Sequence, residues 1–170
     1  MSFHFRQMTQ TQAEEIAYNW HYSGIYSFYD IMADEDDLKE FLDAEQRGCT
    51  HYVVLQNEEL VGFYTFHMTS ADTVDIGLGM RPDLTGRGIG NDFIQAGLDY
   101  AREKYAAQKF TLSVASFNKR AIKAYEKAGF KIVDTFEQET NGGRYEFYKM
   151  CFDTILSSCD GERSNSALFD

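Results

Sequence analysis

The chain has 170 residues, 44% of them hydrophobic and 15% aromatic, with a formal net charge of −11. That is enough apolar material for one sizeable core, and the acidic balance argues against wrapping nucleic acid and mildly favours cationic partners. No apolar run is long enough to span a membrane, Met1-Ser-Phe-His-Phe-Arg enters an alternating pattern rather than a signal peptide, and Cys49, Cys151 and Cys159 form no Cys-x-x-Cys pair and suit a reducing cytoplasm.

In chain order, Phe3, Phe5 and Met8 alternate with polar residues, the pattern of a half-buried strand. Thr11-x-x-Glu14 reads as a capping box opening a helix that runs to about Asn19. Asp34 to Asp37 place carboxylates at the start of a second helix, whose apolar stripe is Leu38, Phe41 and Leu42. His51 to Gln56 and Leu60 to Met68 are strands around an Asn57-Glu58 turn, and Thr73 to Met80 is a third strand of that meander. Ile94, Leu98, Ala101 and Tyr105 recur at helical spacing, and Phe110, Leu112 and Val114 alternate as the next strand. Asn118 caps a short helix that Gly129 ends. Phe130 to Phe136 and Tyr145 to Met150 are closing strands around an Asn141-Gly-Gly143 turn. No repeat or linker divides the chain, so one domain is expected over residues 1–152, with residues 153–170 a polar, serine-rich tail. His4, His21, His51 and His67 show no metal-ligand spacing, Cys49-Thr-His51 is incidental, and no metal is expected.

The richest segment is Asp75-Ile-Gly-Leu-Gly-Met-Arg-Pro-Asp-Leu-Thr-Gly-Arg-Gly-Ile-Gly-Asn91. A strand exits through Pro82 into a glycine-rich loop that opens a helix, leaving unpaired backbone N–H groups at the positive end of the helix dipole. Glycines keep Cβ atoms away from those amides, so a phosphate can approach. A kinase-type P-loop would need Lys-Ser/Thr after its last glycine, and this loop ends Gly90-Asn91-Asp92. A dinucleotide fingerprint would need Gly-x-Gly-x-x-Gly, whereas Gly86, Gly88 and Gly90 are spaced Gly-x-Gly-x-Gly.

The loop with its preceding strand resembles motif A of the GNAT superfamily of N-acyltransferases. The segment Leu112-Ser-Val-Ala-Ser-Phe-Asn-Lys-Arg-Ala-Ile-Lys-Ala-Tyr-Glu-Lys-Ala-Gly-Phe130 resembles motif B, and Arg144 to Met150 the family's last strand. The resemblance covers roughly the second half of the chain, in order. It implies an α/β fold with a mixed, splayed central sheet flanked by helices, in the order β-α-α-β-β-β-α-β-α-β-β. It also implies acetyl-coenzyme A as cosubstrate, its pyrophosphate on Thr85, Gly86, Arg87, Gly88, Ile89, Gly90 and Asn91, and its pantetheine arm along the backbone of Leu78, Gly79 and Met80, with Asn118 beside it. Thr85 departs from the family, which usually carries Gln or Arg there; a hydroxyl can donate one hydrogen bond but brings no charge. Arg81 and Arg87 are the cations at hand.

Acetyl transfer to an amine needs a proton acceptor, since a free alkyl ammonium titrates near 10.4. Asp75 stands where many family members carry a catalytic glutamate; its other reading is a surface strand carboxylate. The departing thiolate needs a donor, and Tyr125, about two helical turns past Asn118, matches the family's general acid, or else is a core tyrosine. Gly77 and Gly79 within a strand call for a bulge or an approaching ligand. Tyr22, Tyr26 and Tyr29 crowd the connection that borders the acceptor cleft in this fold. They read either as part of an aromatic-acidic pocket for a cationic amine or as a packed amphipathic turn.

The resulting expectation is a cytoplasmic N-acetyltransferase that transfers directly in a ternary complex to a primary amine. A non-catalytic acyl-coenzyme A sensor and an interaction module on the same fold are the alternatives. The acceptor (protein N-terminus, lysine, polyamine, antibiotic or metabolite) and the oligomeric state, a dimer included, stay open. Neither nucleic acid nor membrane is an expected partner.

Overall fold

The computed structural model describes residues 2–154. Seven strands form one mixed sheet in the order β1-β2-β3-β4-β5-β7-β6, flanked by helices. They are β1 (His4–Gln7), β2 (His51–Gln56), β3 (Glu59–Met68), β4 (Thr73–Met80), β5 (Lys109–Ala115), β6 (Lys131–Thr140) and β7 (Gly143–Asp153). The helices are α1 (Gln10–Asn19), α2 (Glu35–Leu42), α3 (Ala44–Arg47), α4 (Gly90–Tyr105) and α5 (Lys119–Ala128). The expected order of elements is present, with short helices added between α1 and β2. β7 runs to Asp153, one residue into the stretch read as a tail, and residues 155–170 lie outside the described residues.

The chain gathers into two compact bodies. The first holds residues 2–65, Leu78–Arg87 and Glu139–Arg144; the second holds Phe66–Gly77, Gly88–Gln138 and residues 145–154.

In the first body β1, β2 and β3 form an antiparallel meander, closed between β2 and β3 by Asn57 and Glu58, both at positive φ. That turn geometry matches the right-handed twist of the flanking strands. The capping box of α1 sits two residues earlier than the sequence pattern suggests. Thr9 accepts from the Gln12 amide at 3.2 Å while its own N–H donates to Gln12 Oε1 at 3.0 Å. Thr-x-x-Gln satisfies the same two donors as Thr-x-x-Glu, so the earlier threonine starts the helix. Met8, Ala13, Ile16, Ala17, Trp20, Phe41 and Val53 form the core of this body, with Phe63 packed against it. Phe63 meets Phe41 edge-on at 5.6 Å and Trp20 at 6.2 Å. Arg47 is buried, and its guanidinium donates to the Phe41 carbonyl at 2.7 Å and to Gln10 Oε1 at 2.8 Å. Those bonds tie α3 back to α1 and α2 and satisfy a charge that would otherwise be costly to bury.

The connection from α1 to α2 consists of two 3-10 helices, Gly24–Tyr29 and Ile31–Ala33. Asp34 then caps α2, its Oδ1 accepting from the Asp36 and Asp37 amides. Its Oδ2 accepts from the Asn141 amide at 2.8 Å, and the Asn141 side chain donates to the Phe28 carbonyl at 2.7 Å. Asn141 and Gly142, both at positive φ, form the tip between β6 and β7.

In the second body α4 lies against α5. Phe66 packs on Tyr100 and Tyr105, and Phe110, Phe130 and Phe152 cluster with the Arg102 guanidinium 5.3 Å over the Phe110 ring. β5 pairs with β7 along its whole length, Lys109–Asp153 through Ala115–Phe147. Its parallel register with β4 comprises Thr73–Lys109, Val74–Phe110 and Asp75–Thr111, and Ile76 and Gly77 follow the last pair.

Candidate active site

α4 begins without a side-chain cap, because its N-cap position is Ile89, which has no polar atom to offer. Its first i to i−4 bond runs from the Phe93 N–H to the Ile89 carbonyl at 3.0 Å. The amides of Ile89, Gly90, Asn91 and Asp92 therefore precede the helical ladder, at the positive end of a four-turn dipole. A Cβ built on Gly88 or Gly90 meets nothing within 4 Å, and Gly88 holds φ +82°. The space over this helix start is open, and glycine supplies the backbone conformation that borders it.

The residues before it divide differently from the sequence reading. The Thr85 hydroxyl donates to the Pro82 carbonyl at 2.8 Å, closing the 3-10 turn Pro82–Leu84. Its proton is committed inside the protein, not offered to a ligand. Arg81 is likewise engaged: it donates to Asp83 at 2.7 and 3.2 Å and to the Leu60 carbonyl at 3.0 Å, and lies 3.7 Å from Glu59. The Arg81 hydrogen bond holds the Asp83 carboxyl below the usual carboxylate range. That pairing leaves Arg87, exposed between Gly86 and Gly88, as the loop's outward cation.

Gly79 has a structural reason of its own. A Cβ there would lie 2.5 Å from Phe63 Cε1 and 2.8 Å from Cζ, so the ring already fills that space. Past it, the peptide joining Met80 to Arg81 is held at both ends. The Tyr22 phenol donates to the Met80 carbonyl at 2.6 Å, and the Arg81 N–H donates to the Val61 carbonyl at 2.9 Å. Burial, with the Asp30 charge second, pushes the Tyr22 phenol well above its ordinary 10.0, so it stays protonated and donating.

Asp30 organises the approach to Tyr22. Its Oδ1 accepts from the Tyr22 amide at 2.8 Å and its Oδ2 lies 3.0 Å from His21 Nδ1. His21 Nε2 is 2.8 Å from the Tyr18 carbonyl. Acceptors at both ring nitrogens are satisfied together only by the imidazolium. The Asp30 hydrogen bond, then that of Tyr18, raises His21 above its ordinary 6.5. Tyr26 and Tyr29 lie in the first 3-10 helix, three residues apart and hence on one face; both are half-buried, and Tyr29 meets Phe28 edge-on at 5.2 Å. The three tyrosines therefore do not form one α-helical stripe.

In the second body, Asp75 sits on β4 opposite Thr111 on β5. Its Oδ1 accepts from Thr111 Oγ1 at 2.6 Å and from Lys149 Nζ at 3.2 Å. Lys149 pairs with Ser113, two residues along β5 from Thr111, so its side chain leaves the sheet on the same face. Thr111 and Lys149 had no signal beyond strand alternation. Asn118 is buried and caps α5, its Oδ1 accepting from the Ala121 amide at 3.1 Å. Tyr125 is half-buried on α5, its ring edge-on to Phe130 at 6.0 Å. Among the described residues no cluster of three or more His, Cys, Asp or Glu side chains gathers as for a metal ion, and no helix is long and apolar enough to cross a membrane.

Comparison with known proteins bears on what this arrangement does. The family described as Acetyltransferase (GNAT) family matches residues 12–130. A mycothiol acetyltransferase of Propionibacterium freudenreichii subsp. shermanii is 35% identical over 80 residues, 45% of this chain and 25% of that protein. The chain thus spans about a quarter of the length of the curated relatives it matches. Among solved structures, AAC(6')-Ib in complex with ribostamycin and coenzyme A aligns with a TM-score of 0.71 at 20% identity, over 97% of this chain and 99% of that one. Spermidine N-acetyltransferase from Vibrio cholerae in complex with CoA and spermine aligns with a TM-score of 0.68 at 19% identity, over 90% and 96%. At such identities the likeness to the structures is one of fold.

Proposed function

The chain belongs to the acetyltransferase (GNAT) family, and we propose that it transfers an acetyl group from acetyl-coenzyme A directly to a primary amine in a ternary complex. The observation that carries this reading is the start of α4, which has no side-chain cap and follows Gly88 and Gly90, whose Cβ positions are open. A pyrophosphate is the group such a start accommodates. Gly86, Arg87, Gly88, Ile89, Gly90 and Asn91 are assigned to it, and Thr85 to shaping the turn. Leu78, Gly79 and Met80 are assigned to the pantetheine arm, and Asn118 is assigned to cofactor binding.

Acetyl-coenzyme A supplies an activated carbonyl. The neutral amine adds to it, the new C–N bond forms, and the C–S bond breaks as the tetrahedral intermediate collapses. Asp75 is assigned to receiving the amine's proton, directly or through water, and Tyr125 to protonating the thiolate. Tyr26 and Tyr29 are assigned to the acceptor side. The cationic amines named for the structural neighbours, spermine and ribostamycin, and the charge of −11 support a cationic acceptor. Cys49, an exposed free thiol, suits a reducing cytoplasm.

A second reading, a non-catalytic acyl-coenzyme A sensor, is favoured by one observation, the engagement of Asp75 by both Lys149 and Thr111. Free-thiol release from acetyl-coenzyme A across a panel of primary amines separates the two. Amine-dependent release supports transfer, and acetyl-coenzyme A binding with no release from any amine supports the sensor.

A further inference from the structure

We propose that Tyr22 is a positioning residue for the acyl donor, fixing the peptide that ends β4, and is no part of the acceptor pocket. This rests on the assignment of the pantetheine arm to the backbone of Leu78, Gly79 and Met80.

A peptide unit is planar, with its carbonyl and its N–H pointing in opposite directions. In the unit joining Met80 to Arg81, the Tyr22 phenol holds the carbonyl at 2.6 Å and the Val61 carbonyl holds the N–H at 2.9 Å. Gripped from both sides, that plane cannot rotate about the strand axis without breaking a hydrogen bond. The neighbouring residues add to the restraint. The Arg81 side chain donates to the Leu60 carbonyl, and the Phe63 ring lies flush against the backbone at Gly79. An extended arm that pairs with a strand needs its peptides already aimed, and disorder there would be removed at the expense of affinity.

Tyr22 is itself held. Asp30 Oδ1 accepts from its amide at 2.8 Å, and Asp30 Oδ2 is anchored by His21 at 3.0 Å. The Asp30 side chain is 14% exposed, so this small network is shielded on one side and fixes where the tyrosine starts. The series His21–Asp30–Tyr22 ends on the Met80 carbonyl, 58 residues from Tyr22 in the sequence. The single proton of the Tyr22 phenol is spent on the Met80 carbonyl, so the hydroxyl acts on the donor-side strand through that bond.

The test is Tyr22→Phe, which keeps the ring and removes only the hydroxyl. Wild-type protein must first bind acetyl-coenzyme A in calorimetry; no binding would sink the functional reading and not this one in particular. Given wild-type binding, the variant is expected to raise the Kd and KM for acetyl-coenzyme A by about 5- to 50-fold, as for a part-buried acceptor left without its donor. The KM for the amine is expected to stay within about twofold. A raised amine KM with an unchanged acetyl-coenzyme A KM overturns the proposal, as does no change in either. Asp30→Ala removes the oxygens that hold the Tyr22 amide and tests the same network should Tyr22→Phe fold poorly. A donor-side effect there supports the proposal, and an effect on the amine KM alone overturns it.

Discussion

The ring of Phe63 on β3 occupies the volume that a side chain at Gly79 on β4 would need, with Cε1 2.5 Å from an ideal Cβ. Phe63 is also the ring that meets Phe41 and Trp20, so it cannot swing aside without opening the core of the first body. Gly79→Ala is expected to destabilise the protein by about 1–3 kcal/mol through overpacking. Thermal unfolding measures it, and Phe63→Leu in the same chain should recover part of the loss. A melting temperature unchanged by Gly79→Ala would show that the ring moves freely.

At Gly88 the reason for glycine is different, since nothing lies within 4 Å of its Cβ position and φ is +82°. Gly88→Val is expected to abolish the rise in melting temperature that acetyl-coenzyme A gives the wild type, a rise that follows from binding only the folded state. Gly88→Asn, better tolerated at positive φ, separates backbone strain from blockage. An undiminished thermal shift in the valine variant would place the phosphates elsewhere.

Tyr125→Phe removes the hydroxyl to which protonation of the thiolate is assigned and keeps the ring. Turnover is expected to fall about 100-fold or more, with the Kd for acetyl-coenzyme A nearly unchanged. Single-turnover kinetics, in which chemistry is observed directly, provide the measurement. Full activity in that assay would reduce Tyr125 to its packing against Phe130.

Asp75→Asn preserves shape and the hydrogen bond from Thr111 but cannot take a proton. We expect kcat to drop by at least about tenfold, with the KM for acetyl-coenzyme A held. Lys149→Met tests the neighbouring ammonium, 3.2 Å from the carboxylate. If Asp75→Asn keeps wild-type turnover, the amine's proton leaves by another group or by water.

His21 gives a pH-dependent contribution to stability whose sign is set by its raised folded value. The unfolded imidazole titrates near 6.5, so the contribution is fully present below that pH and is lost as pH rises through the folded value. The groups known to face the ring are the Asp30 carboxylate and the Tyr18 carbonyl. The melting-temperature difference between wild type and His21→Phe should therefore shrink from pH 6 toward pH 9, on the order of the screened effect of a half-exposed ion pair. A constant difference across that range would mean that protonation is not what holds the ring.

Much of this was legible in the sequence, because alternation, helical spacing and caps are local signals. Asn118 and Gly129 bound α5 as read, and the glycine loop opens α4. What was not legible depended on residues distant in the chain. The 3-10 helices between α1 and α2 carry no apolar period of their own, and Phe28 and Asp34 within that region bond to Asn141. Gly79 called for a bulge or an approaching ligand, and only the fold brings the Phe63 ring against its Cβ position. Thr85 was read as a hydrogen-bond donor to phosphate and Arg81 as a nearby cation, yet both satisfy nearby carbonyls or carboxylates, which a motif comparison cannot register.

Asp34 has a consequence for the order in which the chain assembles. Its bond to the Asn141 amide closes a segment of 107 residues, an entropic cost on the order of 4 kcal/mol for an otherwise unstructured chain. One carboxylate cannot repay that, so the contact forms after the strands have brought the β6–β7 tip into place. The Asn141 amide proton thus becomes a clock for this corner of the molecule: its exchange with solvent deuterium reports how often the bond to Asp34 breaks.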